Sequence, residues 1–365
     1  MNNLAHCLTQ FTHPPSRQLI ATVLMLLALS ALPESKAMAQ PSCGDTVGPN
    51  GTVVLQGHIG LCDDDTGGLK VVGPVTLDLN GFQLVCFDSD QDKRLPIGIE
   101  IVGKKAVVRN GQVQGCATGV SVAGQGQHRV ERIRALNNRH GFEVPGKQNT
   151  LIKNEARNNS MTGFSVAGSN NTLRANTVPY MYTAHFVAGP GFVIAGEDNK
   201  IIKNTAKKSY DAGFFIRGKQ HFVDGNFADE NAAGFVVDGE SHTLSNNIAG
   251  DSLATGFRVQ GNQMTLKDNA ARYNAGQGFL VDNAAWPELA GESLLQQNVA
   301  EYNGQSGIVV GQYAGGNNRL LENTALNNNL RGAATAFDLA DFNANCGTNQ
   351  WQQNIYGSSN QPCVQ

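Results

Sequence analysis

Residues 213–237 read GFFIRGKQHFVDGNFADENAAGFVV, and this stretch decides the fold. It holds a Gly-Phe-x-Ile unit at Gly213, a Val-x-x-Asn-x-Ala unit at Val223, and a second Gly-Phe unit at Gly234. The Gly-Phe-x-Val/Ile unit occurs at Gly141, Gly163, Gly191, Gly213, Gly234, Gly256 and Gly278, with weaker versions at Gly98, Gly119 and Gly307. The spacing is about 22 residues with two longer intervals, which is the signature of a repeat architecture.

A second unit lies between successive glycines: an apolar residue, two variable residues, Asn, one variable residue and Ala. Its Asn positions are Asn154, Asn204, Asn226, Asn247, Asn269, Asn298 and Asn323, with variants at Asn110, Asn176 and Asn354. One coil departs from the pattern, with Ile133 where Asn is expected.

Stacking explains both units, because a single coil cannot bury its own apolar face but stacked coils can. We expect the Phe positions to form an aromatic column and the Val/Ile positions an aliphatic one, at a spacing of about 4.8 Å. Asn tolerates the left-handed backbone of a sharp corner, and its amide can bond to the equivalent Asn above and below. The 42 glycines and 12 prolines are typical of a turn-rich all-β chain.

The sequence therefore predicts an all-β, single-stranded right-handed parallel β-helix of about a dozen coils. Right-handed winding is the default for parallel crossover connections. Leucine-rich repeats share the period, but the rest of their unit should be leucine-rich, and the hexapeptide repeats of left-handed β-helices are absent.

Four segments are predicted. Residues 1–39 resemble an export signal, because Leu19 to Leu32 is an apolar run after Arg17, and Ala37-Met38-Ala39 supplies a cleavage site. Residues 40–97 form an N-terminal cap and first coils, residues 98–335 the regular coils, and residues 336–365 the last coil and a C-terminal cap. We expect a periplasmic or secreted monomer with no membrane span after signal cleavage.

Six cysteines follow the signal, and an even number in an exported chain suggests disulfides. Cys43 and Cys62 bracket the N-terminal segment, and Cys346 and Cys363 bracket the C-terminal one. Asn80 and Asn110 are 30 residues apart, and each is followed six residues later by a cysteine, which stacks Cys86 on Cys116. No Cys-x-x-Cys or Cys/His cluster occurs, so no metal site is predicted.

These units, the early Leu77-Asp78-Leu79-Asn80-Gly81 and the ending from Cys346 to Cys363 resemble bacterial right-handed parallel β-helix proteins of the pectate-lyase-like superfamily. That resemblance implies the fold over residues 43 to 363. Such proteins include polysaccharide lyases, glycoside hydrolases, uronate epimerases and a periplasmic copper-site maturation factor. The polygalacturonase motifs and the Asp-Pro-His-Asp motif of mannuronan epimerases are absent here, so the resemblance does not fix an activity.

Charge is unevenly distributed along the chain. Residues 98–223 hold 17 Lys and Arg against 7 Asp and Glu, a net charge of +10. Residues 224–365 hold 5 against 14, a net of −9, and residues 40–97 hold 3 against 8, a net of −5. This basic belt favours an acidic polysaccharide as the partner, rather than nucleic acid, although a solvated charged face would have the same pattern.

Several cations of the belt share a register. Arg109, Lys153 and Lys203 each precede a predicted ladder Asn, and Arg132 lies at nearly the same place. Arg174 lies one residue earlier and would point the other way in an extended segment.

The two long coils carry further candidates for contact with a glycan. One adds Tyr180, Tyr182 and His185, and the other adds Trp286, with Tyr313 at the same corner of the next coil. Loops on a rigid scaffold often carry function, and aromatic rings can stack on sugars or pack the loop onto its coil.

Three functions remain open from sequence. The first is a lyase-like enzyme acting on an acidic polysaccharide, with Lys153, Lys203, His185 or Tyr182 as base and Arg174 or a bound Ca²⁺ neutralising the carboxylate. The second is a non-catalytic glycan-binding or surface-structural solenoid. The third, a periplasmic metal-site maturation factor, would need a His/Met/Cys cluster.

Overall fold

The computed structural model describes residues 40–87, 95–181, 189–282 and 291–365. In these residues the chain winds through three parallel sheets, and successive coils add one strand to each sheet. The described helical structure is a single 3-10 turn, Ala344–Cys346. The predicted parallel β-helix is thus confirmed, with thirteen strands in its longest sheet. No helix in the described ranges is long and apolar enough to span a membrane.

The Gly-Phe units form the strands of sheet 1. Its strands are Thr46–Val47, Leu69–Val72, Ile97–Val102, Thr118–Val122, His140–Val144, Thr162–Val166, Phe192–Ile194, Ala212–Lys219, Ala233–Glu240, Phe257–Asn262, Phe279–Val281, Ile308–Val310 and Leu339–Asp341.

The residues before and after the ladder Asn form sheets 2 and 3. Sheet 2 contains Thr52–Val54, Thr76–Asp78, Thr150–Ile152, Thr172–Arg174, Lys200–Ile202, Phe222–Asp224, Thr243–Ser245, Thr265–Lys267, Leu294–Gln296, Arg319–Leu321 and Gln350–Gln352. Sheet 3 contains Ile59–Cys62, Gln83–Cys86, Glu155–Arg157, Thr177–Tyr180, Thr205–Lys207, Phe227–Asp229, Ile248–Gly250, Ala270–Arg272, Val299–Glu301, Thr324–Leu326 and Ile355–Tyr356. Two longer strands, Val107–Gln114 and Arg129–Leu136, run through both sheets.

The aromatic column is present as predicted. Seven buried rings, from Phe142 to Phe279, stack face to face with centroids 4.6 to 4.8 Å apart. The coil glycine makes room for its neighbours in the corner. A Cβ on Gly213 would lie 2.7 Å from Asn231 Nδ2 and 3.1 Å from Ala228 Cβ. The glycine and the alanine of the repeat are therefore both small because they lie next to each other in the crowded corner.

The asparagine ladder is also confirmed. From Asn176 to Asn354, each side-chain oxygen accepts from the backbone N–H and the amide Nδ2 of the preceding ladder Asn, at 2.8 to 3.0 Å. The oxygen of Asn154, the first in the ladder, accepts from Ile133 N–H at 3.0 Å. Each Nδ2 also donates to a backbone oxygen of the preceding coil, as Asn247 does to Val223 at 2.9 Å. The ladder thus satisfies backbone groups that the corner would leave unpaired.

Two details of the ladder prediction are wrong. The left-handed residue of the later corners is the one before the ladder Asn, such as Lys153 with φ 55°. Asn110 occupies that preceding position as well, because Val108 pairs with Val130, which pairs with Leu151. Asn110 and Asn80 are left-handed corner residues outside the ladder.

Two further polar ladders run along the other corners. One has three separate runs: Asn138 to Asn159, Ser209 to Asn231, and Ser252 through Asn274 and Asn303 to Asn328. The other has two runs: His128 through Asn149, Asn171, Asn199 and His221 to His242, and Ser293 to Asn318. The sequence pattern did not reveal them, because Asn, Ser and His alternate at these positions.

All three predicted disulfides are present: Cys43–Cys62, Cys86–Cys116 and Cys346–Cys363. Cys86 and Cys116 lie on adjacent coils with Cα atoms 5.0 Å apart. The pair was predicted from the 30-residue spacing of both Asn80–Asn110 and Cys86–Cys116, but that spacing does not reflect the ladder register. Leu77 pairs with Val108, 31 residues later, and Leu84 pairs with Val113, 29 residues later.

The first prediction concerns the ladder. Replacing Asn247 with Ala removes the acceptor of Asn226 N–H and Nδ2, both at 2.9 Å, and leaves buried donors unpaired. We expect a loss of about 3 kcal/mol in the free energy of unfolding. The adjacent Asn246 is the matched control, since it is left-handed and its amide bonds only to Asp224 on the surface. Asn246→Gly should cost less than about 1 kcal/mol in denaturant titration, and equal losses would contradict the ladder account.

The second prediction concerns His242. Its Nδ1 accepts from His221 N–H at 3.0 Å and its Nε2 donates to Asp238 O at 3.1 Å, so the ring is neutral. Burial and the stacked His221 lower the pKa of His242 from 6.5 to about 4. The unfolded chain therefore binds more protons between these pH values, and stability should fall as pH drops through this range, by up to roughly 3 kcal/mol.

His242→Asn tests this origin of acid sensitivity. Asn199, at the equivalent position, bonds in the same way through Oδ1 and Nδ2. The variant should unfold like the parent near neutral pH and lose less stability on acidification, measured by thermal melts across the pH series. An unchanged slope would contradict the assignment.

Candidate functional site

The candidate site lies where sheet 2 turns into sheet 3. At this corner the residue before the ladder position is left-handed and exposed, so its side chain projects outward. Arg132, Lys153 and Lys203 occupy this position on three coils, and Ala175 occupies it on the coil before Lys203. The shared register predicted for Arg132, Lys153 and Lys203 is confirmed. Arg132 and Lys203 are three coil steps apart, about 14 Å along the axis.

The register predicted for Arg109 is wrong. Arg109 pairs in register with Glu131, one residue before the corner, and its Nε donates to Asp78 at 2.8 Å. The reason is the off-by-one position of Asn110. Burial raises the pKa of Asp78, but hydrogen bonds from Asn80, Asn110 and Arg109 lower it more, so this pair is ionised. Arg109 is therefore a partnered cation.

Arg174 occupies the same strand position as Arg109 and is exposed. It was expected to point away from Lys153, but both side chains project outward, because the left-handed corner breaks the alternation of the strand. Arg174 thus supplies a cation on the coil where the corner residue is Ala175. Lys200 lies exposed at the start of the next sheet 2 strand.

Many cations of the belt are neutralised by neighbouring coils. Lys207, Lys208 and Lys219 lie 2.9, 3.5 and 2.9 Å from carboxylate oxygens of the following coil. Arg134 lies 3.6 Å from Glu155, and Arg129 pairs with Glu131. Fewer cations of the belt are therefore unpaired than its 17 Lys and Arg suggest.

Four cations on sheet 2 and at its corner with sheet 3 have no ion pair to any described residue: Lys153, Arg174, Lys200 and Lys203. Six further cations of the belt, elsewhere on the coils, also have no ion pair to a described residue: Lys104, Lys105, Arg139, Lys147, Arg157 and Arg217. Arg132 extends the row, with an ion pair to Glu131 at 3.0 Å and a bond to Asn110 Oδ1 at 2.7 Å. We call Arg132, Lys153, Arg174, Lys200 and Lys203 the cationic surface. Its cations lie on four consecutive coils, so it presents a row of positive charge along the axis.

The aromatic candidates do not join the cationic surface. Tyr180 ends its sheet 3 strand in register with Arg157, at the opposite edge of sheet 3. Tyr313 lies exposed in the turn after Ile308–Val310. Tyr182, His185 and Trp286 lie outside the described residues.

Sequence reasoning missed a polar group on the outer face of sheet 1. Thr118 Oγ1 donates to Glu143 Oε2 at 2.6 Å, and His140 Nδ1 lies 2.8 Å from Thr162 Oγ1. Burial lowers the pKa of His140, and the nearby Glu143 opposes that shift. The Arg139-His140-Gly141 sequence was the available signal, because it places a histidine directly before a coil glycine.

The residues that could hold a metal do not converge within the described ranges. No group of three or more His, Cys, Asp or Glu side chains could bind an ion there. The six cysteines of the described ranges are all in disulfides. The described structure thus adds nothing in favour of metal-site maturation.

Comparison with known proteins agrees with this architecture. Residues 180–360 match the family model described as the right handed beta helix region. The A-module of mannuronan C-5 epimerase AlgE6 from Azotobacter vinelandii superposes with a TM-score of 0.62 at 14% identity, covering 89% of this chain and 92% of that one. The chain is a right-handed parallel β-helix protein. No curated protein sequence matches it.

Two further structures are similar at comparable identity. A mutant of the periplasmic alginate epimerase AlgG gives a TM-score of 0.53 at 12% identity, over 85% of this chain and 77% of that one. A mutant tailspike of E. coli bacteriophage HK620, in complex with a pentasaccharide, gives 0.54 at 10% identity, over 90% and 75%. At these identities the likeness shows the fold alone.

Proposed function

We propose that this protein binds an acidic polysaccharide along the cationic surface. The observation that carries the proposal is the row of Lys153, Arg174, Lys200 and Lys203, whose charges have no carboxylate partner among the described residues. Other cations of the belt, such as Lys207 and Lys219, are paired with carboxylates of the next coil, whereas the cations of this row are available to an external anion. A polymer with carboxylates at regular intervals matches a row set by the coil repeat.

The scaffold favours binding to a polymer for a second reason. The corner residues are held by the ladder asparagines next to them, whose side chains are buried and fully bonded. Their backbone positions therefore lose little freedom when a ligand docks, which reduces the entropic cost of association.

Export is part of the proposal. Three disulfides indicate an oxidising compartment, and the apolar run before residue 40 has the form of a signal. Structural neighbours named for mannuronan and alginate, and a tailspike holding a pentasaccharide, lend support by analogy of fold. A periplasmic or secreted protein would meet such polymers directly.

The third prediction reverses two charges of the row. The double variant Lys153→Glu/Lys203→Glu should bind polygalacturonate and alginate about tenfold more weakly, because attraction becomes repulsion at the corner. Affinity electrophoresis in gels containing each polymer, at low and high salt, measures this loss. Lys147→Glu is the matched control, since Lys147 is exposed and without an ion pair in the described structure, but lies at the corner between sheet 1 and sheet 2. Unchanged retardation of the double variant, or an equal loss with Lys147→Glu, would refute the proposed surface.

A second candidate function is β-elimination of the bound polymer, and His140 is the observation that favours it. A neutral, half-buried imidazole bonded to Thr162 could take the proton next to a uronate carboxyl, while Arg139 lies beside it in sequence. The C–H electrons would form the double bond as the glycosidic oxygen departs and takes up a proton. The alternative bases are those predicted from sequence: Lys153, Lys203, Tyr182 or His185. Arg174 or a bound Ca²⁺ would neutralise the carboxylate.

The fourth prediction tests elimination. Incubation with pectate or alginate, with and without Ca²⁺, should raise ultraviolet absorbance as an unsaturated uronate forms, and His140→Gln should abolish the rise. The variants Lys153→Ala and Lys203→Ala show whether a lysine is the base instead. The base is the residue whose replacement abolishes product formation at saturating polymer. Absence of product with every polymer would eliminate this second function and leave binding intact.

A further inference from the structure

We propose a second ligand surface, for an uncharged polysaccharide, at the corner between sheet 3 and sheet 1. It consists of Tyr180, Tyr210, Leu253, Tyr273 and Tyr302, which we call the tyrosine stripe. These residues lie on six consecutive coils, with a gap at the coil of Ala232. The stripe therefore extends along the axis over about 24 Å. Its residues occupy two neighbouring columns, because Tyr210 and Leu253 come three residues after the aligned strand ends Lys207 and Gly250, whereas Tyr273 and Tyr302 come one residue after Arg272 and Glu301.

The exposure of these side chains is unusual for their type. Tyr210, Leu253 and Tyr273 are 55%, 77% and 57% exposed. Across the described ranges five tyrosines are exposed, and four of them lie in this stripe, so the clustering is specific to one corner. Exposed aromatic and apolar side chains clustered in this way are typical of an interaction site.

The charges around the stripe identify the kind of ligand. Three of its basic neighbours are paired: Lys207 with Asp229 at 2.9 Å, Lys208 with Glu230 at 3.5 Å, and Arg272 with Glu301 at 3.0 Å. Arg157, in register with Tyr180, has no ion pair in the described structure, and the exposed carboxylates of Asp211 and Asp251 at this corner have none either. The corner therefore has no excess of positive charge for a uronate. Paired groups still offer donors and acceptors to hydroxyls, which is the chemistry of a neutral sugar.

The shape of the corner suits a ring-stacking ligand. Tyr273 and Tyr302 stack with centroids 5.4 Å apart, which fixes the orientation of both rings. At the other end, Tyr180, Lys208, Tyr210, Glu230 and Leu253 line an open cavity of about 340 Å³. That volume is at the small end of the range for ligand pockets.

The two surfaces flank sheet 3 on opposite edges and differ in charge. The cationic surface lies before the sheet 3 strands and the stripe lies after them, with one strand of three or four residues between. An acidic polymer on one edge and a neutral one on the other would make this solenoid a connector between two glycans. The stripe does not depend on the proposed function of the cationic surface.

The test is affinity electrophoresis of the mature chain in gels containing laminarin, hydroxyethylcellulose or glucomannan. We expect retardation by at least one of these polymers and a loss of about tenfold in affinity for Tyr273→Ala/Tyr302→Ala. Tyr313→Ala is the matched control, because Tyr313 is exposed but lies away from this corner. Thermal melts of each variant verify that the fold is kept.

Cross-testing separates the two proposals. Lys153→Glu/Lys203→Glu should keep neutral-glycan binding, and Tyr273→Ala/Tyr302→Ala should keep polygalacturonate binding. No retardation of the parent in any neutral polymer would overturn the second surface. So would a change in sedimentation coefficient on tyrosine replacement without any change in retardation, because the stripe would then be an interface between copies of the chain.

Discussion

The structure depends on one interaction: a buried asparagine whose side-chain oxygen accepts from the amide and backbone of the Asn on the preceding coil. An unpaired buried amide is costly, so each coil must place its ladder Asn directly above the last. The ladder from Asn154 to Asn354 therefore fixes the register of every coil it passes through. The phenylalanine column contributes buried apolar surface. The ladder determines how each coil is positioned on the last, because hydrogen bonds tolerate little displacement.

Fixed register has consequences for the outer surface. The inward positions are occupied by Phe, Leu, Ala and Asn. The outward positions also stack in columns, but their residue types can differ from coil to coil. Neighbouring coils use some columns for ion pairs, as with Lys207 and Asp229. Where a column lacks carboxylates, as along Lys153 and Lys203, its charges remain available. On this scaffold, the charged side chains that no neighbouring coil pairs are the ones that an external ligand can bind.

Much of the fold could be predicted because the residues that determine it repeat with the same residue types. Gly-Phe and Asn-x-Ala recur almost unchanged, and the three disulfides followed from position. The register failed at Asn110, because the turn around Asn80 has two extra residues and because Asn also suits a left-handed corner. The second and third ladders were missed because Ser and His interrupt their runs of Asn. His221 and Ser293, for example, each supply the one acceptor that the preceding coil needs.

The site was predicted less completely, for a physical reason. Sequence reveals the charge of Lys153, but whether a carboxylate on the next coil neutralises it depends on register and rotamer. Arg109 and Lys153 had the same apparent place in the repeat, yet one is bonded to Asp78 and the other has no described ion pair. The Thr118–Glu143 and His140–Thr162 contacts join residues more than twenty positions apart, which no local motif could show.

The most direct measurement is calorimetric titration of the mature chain with oligogalacturonates of increasing length. If the polymer lies along the axis over the cationic surface, affinity should rise with each added uronate until the oligomer spans the row from Arg132 to Lys203, and then level off. An affinity that does not depend on length, or no binding at any length, would contradict the account.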